Sequence, residues 1–327
     1  VFGDKKTDLR VSTLPTVFGE KVVIRLLKDQ KQSFEFDELG MWGKGLISFQ
    51  NALKQTTGII LVTGPTGSGK TVTLATSLSK LNVIGTNIIT LEDPVEINIP
   101  GVNQVQINTK ADLTFASGLR SILRQDPNII MVGEVRDVET ARLAIQAALT
   151  GHLVLATLHT NSAAGSIPRL IDMGVENFLL ASTINVALAQ RLARRICKHC
   201  KEVFEPDEKV KEDVKNVLGE NFLKIGLGQS PFKKEEDVTE TKEGELKLYR
   251  GKGCEKCGQT GYKGRIGIYE IMEMNEEIKS LAEQNATTDK IQEAAQKNGM
   301  LTLIQDGYLK ALWGITTLEE VLSVASE

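Results

Sequence analysis

The densest chemistry in this chain is the eight-residue stretch GPTGSGKT at 64–71. It matches the phosphate-loop pattern GxxxxGK[ST] at Gly64, Gly69, Lys70 and Thr71, directly after the apolar run IILVT and before TVTLATSLSKL. In such a loop the glycines let backbone N–H groups turn toward phosphate oxygens. Gly64, Pro65, Thr66, Gly67, Ser68, Gly69, Lys70, Thr71 and Val72 are therefore the expected nucleotide cradle. Lys70 neutralises β- and γ-phosphate charge, and Thr71 offers a hydroxyl to Mg2+. The bland alternative is a chance Gly-rich turn, and the strand before and helix after argue against it.

Two acidic groups follow. LEDPVE (91–96) comes after the apolar run NIITL, so Glu92, Asp93 and Glu96 cluster at one strand end, with Pro94 fixing the turn. At least one of them is expected to face a γ-phosphate. IIMVGEVRD (129–137) ends a second strand in Gly133 and Glu134, where a phosphate-loop protein usually carries a magnesium-holding Asp. The longer side chain of Glu134 suits an outer-sphere hold on the ion, or a base acting on the attacking water. An ion pair with Arg136 is the structural alternative. Carboxylates on two strand ends beside a phosphate loop point to water activation, because phosphoryl transfer to water needs a positioned base rather than a covalent intermediate. TGHLVLATLHT (150–160) adds two of the chain's three histidines. His159, at the strand's carboxyl end, is placed to sense γ-phosphate. His152, at the other end, is open between contact with a neighbouring segment and a structural hydrogen bond.

These groups need a scaffold that brings strand ends together. From Leu39 the pattern alternates: strand 59–63, helix from Lys70, strand 87–91, helix 112–124, strand 129–133, helix 138–149, strand 153–158. Continuous apolar strands between helices predict a parallel α/β sheet buried on both faces, with ligands collecting at the carboxyl ends. Before it, DLRVSTLPTVFGEKVVIRLLK (8–28) reads as a β-hairpin turning at Pro15–Gly19, followed by a polar linker. After it, TTDKIQEAAQKNG predicts a helix closed by Gly299, and Thr316 with Glu319 predicts a capping box before VLSVA.

Four cysteines fall as two CxxC pairs, Cys197 with Cys200 and Cys254 with Cys257. Their spacing suits tetrahedral Zn2+ in a structural site with no open position, with a thioredoxin-like redox pair as the rival. His199, inside the first pair, is not expected to be a ligand. The 53 residues between the pairs are expected to leave and return as a loop; residues 205–245, with twelve acidic and seven basic side chains, read as a solvated insertion without chemistry.

At 327 residues, 41% hydrophobic and 25% charged, the chain is globular material for two or three cores. A net charge of −3 and the lack of a basic, aromatic-interleaved track disfavour a nucleic-acid translocase. With no apolar run of about 18 residues and no charged-then-apolar leader, neither a transmembrane segment nor export is expected. A chain opening in mid-strand at Val1 is expected to be a fragment of something longer. A scaffold that binds ATP without turning it over is a further alternative.

The order GPTGSGKT, LEDPVE, VGEVRD, TGHLVLATLHT resembles the secretion ATPase superfamily, with its Walker A loop, Asp box, glutamate-ended Walker B segment and His box. RVSTLPTVFGEKVVIRLL, the paired CxxC motifs and GYKGRIGIYEIM are similar to the hexameric motors of type IV pilus assembly (PilB-like) and of type II secretion (GspE-like), and EINIPGVNQVQIN is closer to the pilus-extension branch. The resemblance implies an α/β, RecA-like P-loop ATPase core with a zinc-binding subdomain, a helical C-terminal region and a short β remnant of a truncated N-terminal domain. The implied limits are 1–31 for the remnant, 32–39 for a linker, 40–190 for the core, 191–265 for the tetracysteine subdomain with its acidic insertion, and 266–327 for the helical region. It further implies ATP hydrolysis with Mg2+, Glu96 as water-activating base, Glu134 near the metal, and Arg10 and Arg25 as arginines brought onto the γ-phosphate. A homo-hexamer at the cytoplasmic face of the inner membrane, turning a membrane-embedded platform protein, is implied in the same way.

Overall fold

The computed structural model describes residues 8–27, 34–228, 230–232 and 246–325. The hairpin forms as the turn residues predict: β1 (Asp8–Thr16) pairs antiparallel with β2 (Gly19–Leu27). Its described apolar side chains, including Leu14, Val17 and Phe18, are exposed.

Two helices, α1 (Phe36–Leu39) and α2 (Gly43–Leu53), then lead into β3 (Gly58–Thr63), the phosphate loop and α3 (Lys70–Leu81). Next come β4 (Ile88–Glu92), β5 (Asn103–Gln106), α4 (Phe115–Ile122), β6 (Ile129–Val132), α5 (Val138–Leu149) and β7 (Leu153–Leu158). The fourth helix starts at Phe115 rather than at Asp112. Asp112 takes a left-handed φ of 53°, and Thr114 caps the helix by accepting the Ser117 N–H. Two short helices, α6 (Ser166–Asp172) and α7 (Asn177–Thr183), precede the long strand β8 (Ile184–Ile196).

The rest of the chain is β9 (Lys201–Phe204), α8 (Glu208–Gly226), β10 (Leu248–Gly251), β11 (Tyr262–Glu273) and the helices α9 (Glu276–Glu283), α10 (Thr288–Lys297), α11 (Leu303–Leu312) and α12 (Leu318–Ala325). Gly299 closes α10 at φ 85°, as expected. The cap of α12 falls one residue later than the sequence suggested. Thr317 accepts the Glu320 N–H, while the Thr316 hydroxyl donates to the Arg194 carbonyl.

Seven strands form the central sheet in the order β11-β8-β3-β7-β6-β4-β5, all parallel except β11, which runs antiparallel to β8. The inner strands β3, β6 and β7 are almost wholly apolar because both faces are covered. In β3, Ile59 and Leu61 enter the core under α5 and α11, and Ile60 and Val62 enter the core under α2 and α3. β6 divides Ile130 and Val132 from Ile129 and Met131 in the same way, and β7 divides Val154 and Ala156 from Leu153 and Leu155. Only the carboxyl edge of such a sheet is left for polar ligands.

The acidic stretch is not wholly a solvated insertion. Val214 and Leu218 of α8 are buried in the same core as Tyr308 and Leu312, and Tyr308 donates to Asp213 at 2.7 Å. Acidic side chains on the outer face masked an apolar stripe at i, i+4. β9 and β10 pair antiparallel, Lys201 opposite Gly251 and Phe204 opposite Leu248, so the excursion between the cysteine pairs returns to where it left.

Within the helical region Asp306 gathers three donors. Trp42 Nε1 lies 2.6 Å from Oδ1, while the Tyr269 N–H and Lys310 Nζ reach Oδ2 at 2.7 and 2.5 Å. Lys310 is wholly buried and also donates to the Gly267 carbonyl at 2.7 Å. Removing one member of a buried pair leaves an uncompensated charge. Lys310→Met is therefore expected to destabilise the fold by about 3 kcal/mol, read as a lower urea midpoint with unchanged slope.

Candidate nucleotide site

At the carboxyl edge, β3, β4, β6 and β7 surround a cleft of about 120 Å3 lined by Lys70, Thr71, Glu92, Asp93, Glu96, Glu134 and Thr157, among others. The sequence motifs thus converge on one space. The phosphate loop turns there with Gly64, Gly67 and Gly69 at φ 142°, 84° and 92°. Lys70, the first residue of α3, folds back so that Nζ donates to the carbonyls of Gly64 at 2.6 Å and Pro65 at 3.0 Å. Burial lowers the pKa of this ammonium, and the negative charge of Glu134 partly offsets that.

Glu134 owes its aim to the residue before it. The Gly133 N–H donates to Leu91 O at 2.7 Å, and the Gly133 carbonyl accepts the Thr157 hydroxyl at 2.5 Å. A β-carbon on Gly133 would sit 2.8 Å from the Leu91 carbonyl oxygen, so only glycine lets the chain press this close to β4 before turning into the cleft. There Glu134 is held on both sides. His159 Nε2 lies 3.0 Å from Oε1, and Arg136 Nε donates to Oε2 at 2.6 Å. The pairing with Arg136 exists, and it coexists with a position beside Lys70 rather than replacing it. Arg136 also reaches toward Asp93, at 3.9 Å.

The three carboxylates of LEDPVE part company. Glu92 is buried, its Oε1 accepting the Thr90 hydroxyl at 2.7 Å and Gln104 Nε2 at 2.9 Å. Burial raises its pKa and the nearby Glu96 adds to the rise, while the Thr90 and Gln104 hydrogen bonds oppose it. Glu96 is exposed at the cleft. Of the two histidines, His159 meets Glu134 and His152 does not. Nδ1 of His152 pairs with the Ala147 carbonyl at 2.8 Å at the end of α5, a structural role. Arg10 and Arg25 are register partners across the hairpin; their side chains lie outside the described residues.

Sequence reasoning missed Thr157, Gln104 and Gln190, which position the loop and the carboxylates. The available signal was a Gln-Arg pair inside the apolar run INVALAQRLARRI. Gln190 and Arg191 are 1% and 3% exposed, and an apolar strand admits buried polar side chains only where they have work to do.

The four cysteine sulfurs lie within 4.8 Å of one another. Three of the separations are 3.7, 3.9 and 3.9 Å, close to the edge of about 3.8 Å expected for a tetrahedron with metal–sulfur bonds near 2.3 Å. Gly251 and Gly261 pack backbone to backbone between the two pairs, where a β-carbon on Gly251 would fall 2.1 Å from the Gly261 oxygen. The cluster fits a metal ion, and the exposed His199 is not part of it. A larger cavity, about 370 Å3, opens among α2, β11 and α10. Its acidic groups are Glu273 and Asp306, and its cation Lys44 donates to the Asn298 carbonyl, the wrong chemistry for a triphosphate.

A phosphate loop facing carboxylates across the carboxyl edge of a parallel sheet defines the class of P-loop nucleotide-binding α/β proteins. Within that class, the chain belongs to the family described as "Type II/IV secretion system protein", which matches residues 1–323. Its relatives include the type IV pilus assembly ATPase PilB of Thermus thermophilus, 48% identical over 97% of this chain and 33% of that protein. The type II secretion system protein E of Xanthomonas campestris pv. campestris is likewise 48% identical, over 99% of this chain and 53% of that protein. The chain thus spans about a third to a half of these two relatives' length. The solved structure of the pilus retraction motor PilT with bound ADP superposes with a TM-score of 0.65 at 27% identity, covering 96% of this chain and 73% of the other. Among the described residues no helix is long and apolar enough to cross a membrane.

Gly133→Ala is expected to force β4 and β6 apart at their carboxyl ends, at a cost of about 1–3 kcal/mol. Chemical denaturation beside the unmodified chain measures the cost.

Proposed function

We propose that this chain is the hydrolytic part of a mechanochemical ATPase, converting ATP and water to ADP and phosphate, and that the whole protein powers type IV pilus assembly. The observation that carries the reading is the cleft in which Lys70 and Thr71 meet Glu96 and Glu134. The loop amides and Lys70 hold the β- and γ-phosphates, for which Lys70 exchanges the carbonyls of Gly64 and Pro65 for phosphate oxygens. Thr71 and Glu134 would hold Mg2+, which supplies charge neutralisation on the transferring phosphoryl group. Glu96, exposed at the cleft, takes the proton of the attacking water. His159, on one oxygen of Glu134, reads the γ-phosphate through that carboxylate. Arg10 and Arg25 serve as arginines donated to the γ-phosphate.

The four thiolates Cys197, Cys200, Cys254 and Cys257 hold a structural Zn2+, for which the sulfur separations and the absence of an open ligand position speak. The protein works as a homo-hexamer against an inner-membrane platform protein, on the cytoplasmic side. Type II secretion is the second reading, supported by a relative of that system at the same 48% identity as the pilus relative.

Lys70→Ala is expected to weaken Mg·ATP-analogue binding at least ~100-fold, whereas Glu96→Gln retains binding and slows phosphate release by ~10²- to 10⁴-fold. An unchanged rate in Glu96→Gln would remove Glu96 from the role of base. Elemental analysis is expected to find one zinc per chain, lost in Cys254→Ser together with a lower melting temperature.

A further inference from the structure

We infer that Gln190 is the positioning residue of the phosphate loop, fixing the Ser68–Gly69 peptide so that the Gly69 amide faces the phosphates; this rests on the nucleotide-site reading above. β8 runs parallel to β3 with Ala189 opposite Thr63, which puts Gln190 level with the first residue of the loop. From there it touches the loop at three points. Its Nε2 donates to the Ser68 carbonyl at 2.8 Å. A β-carbon on Gly64 would lie 2.6 Å from the Gln190 carbonyl oxygen, and one on Gly69 would lie 3.1 Å from Gln190 Nε2. Arg191 backs the contact by donating to that carbonyl oxygen at 3.1 Å.

The consequence follows from peptide geometry. The Ser68 carbonyl and the Gly69 N–H belong to one planar unit and point in opposite directions. A donor that holds the carbonyl against β8 therefore holds the N–H away from β8, toward the concave side of the loop. Nothing intrinsic to the loop does this, because Gly69 at φ 92° lacks a side chain to resist a peptide flip. The orientation of the Gln190 amide is fixed by its partner, since only Nε2 can face a carbonyl oxygen. Its Oε1 and the Ser68 hydroxyl are both buried with no partner among the described residues, so the single hydrogen bond to Ser68 O is the tie that matters.

The test compares the unmodified chain with Gln190→Met, of similar length but without a donor, and with Gln190→Leu, shorter and likewise without one. Losing one amide from the phosphate cradle is expected to weaken binding of Mg·ADP and of a non-hydrolysable Mg·ATP analogue alike by about ten- to a hundredfold. KM should rise by the same factor with kcat changed less than about threefold, the pattern of an interaction made equally in ground and transition states. The melting temperature without nucleotide should stay within about 3 °C, which separates positioning from general destabilisation. Wild-type affinity in either variant overturns the inference alone; an unmodified chain that binds neither nucleotide overturns the site reading with it. Should Gln190→Met lose its fold, Gln190→Leu by itself decides the matter.

Discussion

A sheet covered by apolar packing on both faces has one kind of place for charged chemistry, the edge where its parallel strands end. That constraint organises the whole molecule. Loop, carboxylates and histidine come from four strands far apart in sequence, yet each begins at the last residue of its strand or within four residues beyond it. The helices behind them supply dipoles and rigidity, and the apolar alternation along β3, β6 and β7 fixes the register that sets the polar ends side by side. Once the strands are stacked, glycines make the backbone adjustments that finish the site, at Gly64, Gly67 and Gly69 in the loop and at Gly133 beside β4.

The parallel core was legible because its signals are local. Apolar runs of strand length, the phosphate-loop glycines and the carboxylates that follow each run lie within a few residues of one another. Pairings across the fold were not. Nothing near Glu92 announces Gln104 as its hydrogen-bond partner, and nothing near Trp42 announces Asp306, 264 residues away. The long strands β8 and β11 were hidden for another reason. Their arginines, glutamine and glutamate interrupt the apolar pattern, and each is excused only by a contact that the folded state provides, as with Gln190 on Ser68 and Glu270 accepting the Ala163 N–H. The helix α8 was obscured by its acidic face, and the start of α4 by a left-handed Asp112 that composition does not reveal.

Site residues followed the same division. Motif spacing led to Lys70, Thr71, Glu134 and the group Glu92, Asp93 and Glu96, all of which line the one cleft, while the choice of Glu96 came from the family resemblance. It set His159 and His152 at opposite strand ends, and the structure puts the first on Glu134 and the second on the Ala147 carbonyl. For the cysteines, pair spacing carried the expectation of a four-sulfur cluster, while the device that closes it, two glycine backbones in contact, is a tertiary fact.

The antiparallel ribbon of β8 and β11 outruns its neighbours. β3 stops at Thr63, opposite Ala189, whereas β8 continues to Ile196, next to the first residue of the cysteine cluster. Seven residues of strand make a projection of about 20 Å, rooted in the sheet and braced along its length by Ile315, Thr316 and Glu320 of the C-terminal helical region. A beam of that length magnifies angle into displacement: a tilt of about 5° where it passes the phosphates moves the far end by close to ~2 Å. The end that carries the four cysteines is thus where a tilt of this braced ribbon at its root gives the largest displacement.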